Sequence, residues 1–141
     1  MKKFSAKRKG FFIYLVLTSI FPIIILFSHE GNLNTIWFDL LLSSIPFCLL
    51  LWIYFSTSYW IQDNHLYYRS AFIRGKIDII RITEIQLGKT LWVGLKPALS
   101  TKGMIIKYNT YDEIYLAPVN NETLTDALVK INPDIELSKK D

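Results

Sequence analysis

Few residues in this chain have the types and spacing that chemistry needs. His29 and His65 flank an apolar run from Ile36 to Phe55, and if that run crosses a membrane they cannot share a metal ion or a catalytic dyad. Cys48 is the single cysteine and lies inside the same run, and one thiol builds neither an intramolecular disulfide nor a thiolate metal site. Asp112 and Glu113 are neighbouring carboxylates, but they stand at a predicted hairpin turn, where carboxylates more often only solvate the chain. His65 likewise reads as a turn residue rather than a general base. No phosphate-cradling glycine loop, nucleophile elbow or metal-ligand spacing is present. With no group beside an activating partner, the expectation is a non-enzymatic protein with no cofactor.

Two stretches carry binding chemistry instead. Leu91-Trp92-Val93-Gly94-Leu95-Lys96-Pro97 is markedly apolar for a segment between strands. It either forms an exposed patch, with Trp92, Leu95 and Lys96 as partner-docking residues, or Trp92 and Leu95 close one end of the core. Arg69, Arg74, Lys76 and Arg81 cluster around a predicted turn, and near an anionic leaflet each contributes about 1 kcal/mol. Arg74 and Lys76 are the candidate headgroup contacts. The competing reading is a solvated edge, since Asp63, Asp78 and Glu84 are interspersed.

Two apolar runs must position these residues. Phe11 to Phe27 and Ile36 to Phe55 contain no Lys or Arg, and in lipid a helix satisfies its own backbone, so each reads as a transmembrane helix. The first, roughly 17 residues at ~1.5 Å rise, falls slightly short of a ~30 Å hydrocarbon core, a mismatch that snorkelling flanks absorb. Pro22 and Pro46 are expected to kink the helices without ending them. A cleaved signal peptide is the rival reading of the first run, but the run exceeds the usual ~7 to 15 residues. Asp39, the one formal charge in either run, sits near the start of the second and reads as an interfacial carboxylate rather than an ion site.

Residues 1–10 form a basic tail with Lys2, Lys3, Lys7, Arg8 and Lys9, while the 28–35 loop has no Lys or Arg. The positive-inside rule then places the N-terminus in the cytoplasm, the loop outside, and everything from Ser56 onward back in the cytoplasm. The expected location is the cell (inner) membrane, multi-pass. Hydrophobic residues at 51% and a mean hydropathy of +0.26 set the chain apart from ordinary soluble proteins of its length. The net charge of +4 comes mainly from the tail, because residues 56–141 hold 11 Lys+Arg against 10 Asp+Glu. Nucleic acid, which needs a concentrated basic footprint, is not an expected partner.

Beyond Thr57 the apolar residues alternate, the signature of strands with one solvated face. Tyr59 and Ile61, then Leu66 and Tyr68 after an Asp63-Asn64-His65 turn, then Ile77 and Ile79 after a turn over Ala71 to Lys76, read as successive antiparallel strands. Arg81 to Lys89 is either one bent strand or a helical turn followed by a strand. Met104 to Tyr108 and Glu113 to Leu116 form a hairpin, and a helix follows from Asn121 to Ile131, capped by Asn120 or Asn121 and stopped by Asn132-Pro133. The fold class is α+β: two transmembrane helices, then an antiparallel sandwich or partial barrel over 56–137 closed by a C-terminal helix, with 138–141 as a polar tail.

Thr57-Ser58-Tyr59-Trp60-Ile61, Pro97-Ala98-Leu99-Ser100, Ile106-Lys107-Tyr108, Ala117-Pro118 and Asn132-Pro133-Asp134-Ile135 occur in an order and spacing that resemble the bacterial pleckstrin-homology-like (PH-like) domains of the YyaB-like kind. The resemblance covers more than half of the chain and implies two roughly orthogonal sheets capped by the helix. Three positions depart from the pattern: Lys96 stands for a usual Ser, Gly103 for a basic residue, and Ala117 for Ser, changes expected to alter the surface and not the fold. Familiar pleckstrin-homology domains often bind phosphoinositides through basic residues between the first two strands. That loop reads here as Asp63-Asn64-His65, so phosphoinositide binding is not implied.

Trp60 follows Phe55 by five residues, and an extended linker lifts the first strand at most ~3.3 Å per residue. The domain must hang close to the headgroups. The resulting expectation is a membrane-anchored PH-like interaction or scaffold module, its partners being the bilayer and a protein or a second copy of itself. The alternative is protection against a membrane-active peptide or bacteriocin, an analogy of layout. Transport has little support from two spans and one interfacial carboxylate.

Overall fold

A computed structural model describes residues 1–28 and 33–139. In chain order the elements are β1 (Lys2–Ser5), α1 (Phe11–Ser28), α2 (Leu33–Ser56), β2 (Ser58–Gln62), β3 (His65–Ser70), β4 (Ile73–Asp78), a 3-10 turn (Ile79–Arg81), β5 (Ile82–Leu87), β6 (Met104–Tyr108), β7 (Asp112–Leu116), α3 (Asn121–Val129) and β8 (Glu136–Lys139). His29 lies outside the described residues.

α1 and α2 pack against each other, and both are long and apolar enough to cross a membrane. Leu15 is the buried residue of α1, while Phe12, Leu17, Phe21, Leu41 and Leu42 face outward, so both helices expose apolar flanks. Their hydroxyls turn inward on their own helix: Thr18 Oγ1 donates to the Tyr14 carbonyl at 2.8 Å, and Ser44 Oγ to that of Leu41 at 2.8 Å. Both helices run on through Pro22 and Pro46.

The N-terminal residues do not form a free tail. Lys2–Ser5 is the edge strand of the first sheet, antiparallel to β2, with Lys3 opposite Trp60 and Phe4 opposite Tyr59. Phe4 and Ala6 alternate inward and are 8% and 3% exposed. The flanking lysines mask this two-residue apolar alternation in the sequence. Just beyond β1, the Lys7 N–H donates to the Ala117 carbonyl at 2.7 Å and the Val119 N–H to that of Ser5 at 2.9 Å, so the segment also stitches the first sheet to the end of β7. The α1–α2 hairpin is therefore inserted between the first two strands of the domain. The Asp63-Asn64 turn joins β2 to β3, the first two strands that follow the hairpin, as the sequence implies.

The first sheet has the order β1-β2-β3-β4 and the second β7-β6-β5-β8. β8 pairs in parallel with β5, so the end of the chain adds a strand where a polar tail is expected, and the second sheet is mixed. Asp63 and Asn64 both take positive φ, as a two-residue hairpin loop matching strand twist requires, and His65 is already in β3. The next turn is also tighter than the sequence implies: Ser70 pairs with Ile73, leaving only Ala71 and Phe72 in the loop. Gly75 is in β4 opposite Tyr68, and a Cβ there would collide with the Tyr68 ring. Between β4 and β6 the alternatives combine, a 3-10 turn leading into a strand whose register shifts between Ile82 and Glu84.

Asn120 caps α3, its side chain accepting from the Glu122 and Thr123 amides. Leu124 and Leu128 reach the core formed by the inward faces of both sheets, including Tyr59, Leu66, Ile85, Ile106 and Leu116. Each such side chain stabilises by roughly 1.5–3 kcal/mol on burial. Asn132 does more than end the helix, since its Nδ2 donates to the Ile79 carbonyl at 2.9 Å and lies 3.2 Å from that of Ile82.

Candidate functional site

The long loop from Gly88 to Gly103 is held at one end by two buried tyrosines. Tyr59 on β2 donates its phenol to the Pro97 carbonyl at 2.7 Å and accepts from the Ala117 amide at 3.3 Å. Tyr115 on β7 donates to the Ser100 carbonyl at 2.8 Å and accepts from the Gly103 amide at 2.9 Å. Burial raises the pKa of both phenols, so they remain protonated donors. Gly103 is required for this approach: a Cβ would run into the Leu116 carbonyl and crowd the Tyr115 hydroxyl.

The loop's tip is open. Trp92 is 88% exposed, and it is Leu91 that packs against the small cluster of Ile105, Tyr115 and Ala117. Leu95 is 36% exposed, with its carbonyl accepting from the Tyr115 amide at 3.0 Å, and the Lys96 ammonium sits 5.2 Å from the Tyr115 ring centroid. The structure separates Trp92 from Lys96 into two concavities, and Leu95 lines neither. Trp92 lines one with Lys89, Thr90 and Lys102, and Lys96 lines another with Lys9.

The basic residues separate by strand alternation. Lys76 pairs with Tyr67 and Arg74 with Arg69 across β3–β4, and these four border a cavity of about 360 Å³ with Trp60. The Trp60 and Tyr67 rings stack at 5.4 Å and 5°. Lys3 extends the row from β1. Arg81 falls elsewhere, in the 3-10 turn, 3.9 Å from the Asp78 carboxylate. Three of the four basic residues that cluster in sequence therefore share one face.

This face lies beside the end of α2. The Ala71 amide donates to Ser56 Oγ at 2.6 Å, Thr57 and Ser70 hydroxyls meet at 2.8 Å, and Phe72, 68% exposed, packs edge-on against Trp52 at 6.1 Å. Arg69 and Arg74 form the next strand pair after that turn. The start of α1 is fixed to the same end, with Phe11 stacked on Tyr54 at 6.1 Å and the Arg8 guanidinium 4.8 Å from the Tyr54 ring. The loop's anchoring is not legible in sequence, because the tyrosine hydroxyls that hold it read there only as apolar alternation.

The carboxylates and hydrogen-bonding groups elsewhere are structural. Glu84 receives Lys107 Nζ at 2.8 Å and Gln86 Nε2 at 2.8 Å, and these hydrogen bonds hold its carboxyl below the usual range. Asp112 accepts from Asn109 Nδ2 at 2.7 Å across the β6–β7 turn, and His65 Nδ1 lies 2.6 Å from the Asp63 carbonyl. Asp39 borders a cavity of about 340 Å³ between the helices with Ile25, Ser28 and Ser43.

A family model described as a bacterial PH domain matches residues 57–132. No curated relative and no solved structure matches the chain. The matched stretch runs from the start of β2 to the asparagine beyond α3, leaving out β1, β8 and the two apolar helices. Two stacked sheets closed by a C-terminal helix agree with that match over more than half of the 141 residues, and the chain belongs to the bacterial PH domain family.

Proposed function

We propose that the protein is a non-catalytic, membrane-anchored PH module that docks a protein partner, or a second copy of itself, beside the cytoplasmic leaflet of the cell membrane. The observation that carries this reading is the insertion of the apolar hairpin between β1 and β2. Strands preceding and following the hairpin are hydrogen-bonded neighbours, which requires both ends of the hairpin to emerge on one side of a bilayer. The lysines of β1 and of the 7–9 segment, set against a 28–35 loop without Lys or Arg, favour the cytoplasmic side. Confinement to the membrane plane raises the effective concentration of any partner held there too.

In this arrangement Arg74 and Lys76, joined by Arg69, meet anionic headgroups while Phe72 sits at the lipid boundary. Trp92 stays available for a partner, flanked by Leu95 and Lys96 along the same loop. The family is generally non-catalytic, which supports a binding role. Two measurements test the reading. Reporter fusions at both termini should report the cytoplasm, and opposite compartments would reject the topology. A photo-crosslinker replacing Val93 in native membranes should give a discrete adduct that adding Trp92→Asp abolishes. An unchanged adduct in that folded variant removes Trp92 from the docking surface.

A further inference from the structure

A cavity of about 410 Å³ lies where the first turn of α1 meets the 96–101 stretch of the long loop. Its volume falls within the ~300–1,000 Å³ typical of small-molecule sites. Its walls divide by chemistry. Lys9, Lys96, Ser100 and Thr101 supply the polar side, and Ile13 and Tyr14, both exposed on the flank of α1, supply the apolar one. No Asp or Glu lines it. Ser100 Oγ donates to the Lys9 carbonyl at 3.2 Å, fixing the two polar walls relative to each other, and the Tyr115 hydroxyl holds the Ser100 carbonyl from behind. Arg8, the neighbouring cation, is not part of the lining, and the Lys96 ammonium is set at the cavity's edge over the Tyr115 ring.

We infer that this cavity binds the headgroup of one anionic glycerophospholipid, with Lys9 and Lys96 on its phosphodiester and an acyl chain laid along Ile13 and Tyr14. The inference rests on the membrane-anchored reading, which puts the first turn of α1 at the water–lipid boundary. A ligand there must be amphiphilic to match both walls. It must carry net negative charge, because two ammonium groups repel the ammonium of a zwitterionic headgroup. The site is separate from the cavity bordered by Arg69, Arg74 and Lys76, whose basic residues come from the single strand pair β3–β4, whereas this one has walls from two distant parts of the chain.

The test uses the full chain in nanodiscs of phosphatidylcholine containing a minority of phosphatidylglycerol or, in parallel, of phosphatidylethanolamine, followed by release and native mass spectrometry. The wild type is expected to retain one phosphatidylglycerol and no phosphatidylethanolamine. Lys9→Gln with Lys96→Gln should weaken retention roughly tenfold or more, Lys9→Arg with Lys96→Arg should preserve it, and Lys130→Gln, at an exposed lysine beyond α3, should leave it unchanged. Equal retention by the folded double Gln variant, or no selective retention by the wild type, overturns the proposal. Soluble glycerol phosphate displacing the lipid at comparable concentration would show a free-phosphate site and overturns the lipid assignment. Failure of the chain to enter nanodiscs at all overturns the anchoring reading as well, and is scored separately by co-elution.

Discussion

Phe4 faces Tyr59 across β1 and β2 although both apolar helices separate them in the chain. Both side chains enter the one hydrophobic core that the two sheets and α3 share. The segment before the hairpin is therefore a structural part of the domain after it. Phe4→Ala should destabilise the domain by about 3 kcal/mol, the usual cost of a large-to-small change in a packed core. Lys3→Gln, one residue away on the outer face, should change stability by less than about 0.5 kcal/mol. Chemical denaturation of the detergent-solubilised protein, followed by tryptophan fluorescence, checks both, and equal effects would contradict the inward placement of Phe4.

Tyr115 provides a second test, at the loop. Tyr115→Phe keeps the ring beneath Lys96 and removes the hydroxyl that bridges Ser100 and Gly103. The Gly103 amide is then left buried without its acceptor, a loss of about 1–3 kcal/mol. Amide hydrogen exchange should accelerate at Gly103 while β6 and β7 keep their protection. Unchanged exchange there would mean that the hydroxyl does not hold the loop.

The sequence makes local features readable and non-local ones obscure. The apolar runs, the alternation of Tyr59 with Ile61 and of Leu66 with Tyr68, the 104–116 hairpin and the Asn120 cap each depend on residues close in sequence, and they appear as expected. β1 is four residues long, half of them lysine, and finds its partner across the entire hairpin, so periodicity could not expose it. β8 is equally short and pairs in parallel with β5.

The candidate surfaces divide in the same way. Alternation along β3 and β4 is enough to place Arg69, Arg74 and Lys76 together once the Ala71-Phe72 turn is known, but the broader Ala71 to Lys76 turn read from the sequence hides that face. The joint cavity of Lys9 and Lys96 depends on the hydrogen bond from Ser100 to the Lys9 carbonyl, and no spacing rule connects residues so far apart. Asn132 reads locally as a helix stop, and its buried bond to the Ile79 carbonyl is visible only in three dimensions.

The Glu84–Lys107 pair predicts how stability depends on pH. Lys107 and Gln86 donate to the Glu84 carboxylate, lowering its pKa below the ordinary 4.5. A carboxyl with a depressed folded-state pKa binds protons less readily when folded than when unfolded, so its contribution is fully present above 4.5 and fades as pH falls through the folded value. Lys107 is shifted upward from 10.5 chiefly by the same hydrogen bond, so its contribution is present below 10.5 and is lost as pH rises through the folded value. Between those limits both groups are charged and the pair adds no slope. Glu84→Gln should therefore be less stable than the wild type at pH 7, and the two denaturation midpoints should converge on acidification below 4.5. The pair is partly exposed, with side chains 24% and 42% accessible, so added salt should shrink the difference at pH 7. A constant gap between wild type and variant from pH 7 to below the carboxyl's range would show that the ionic hydrogen bond is not what Glu84 contributes.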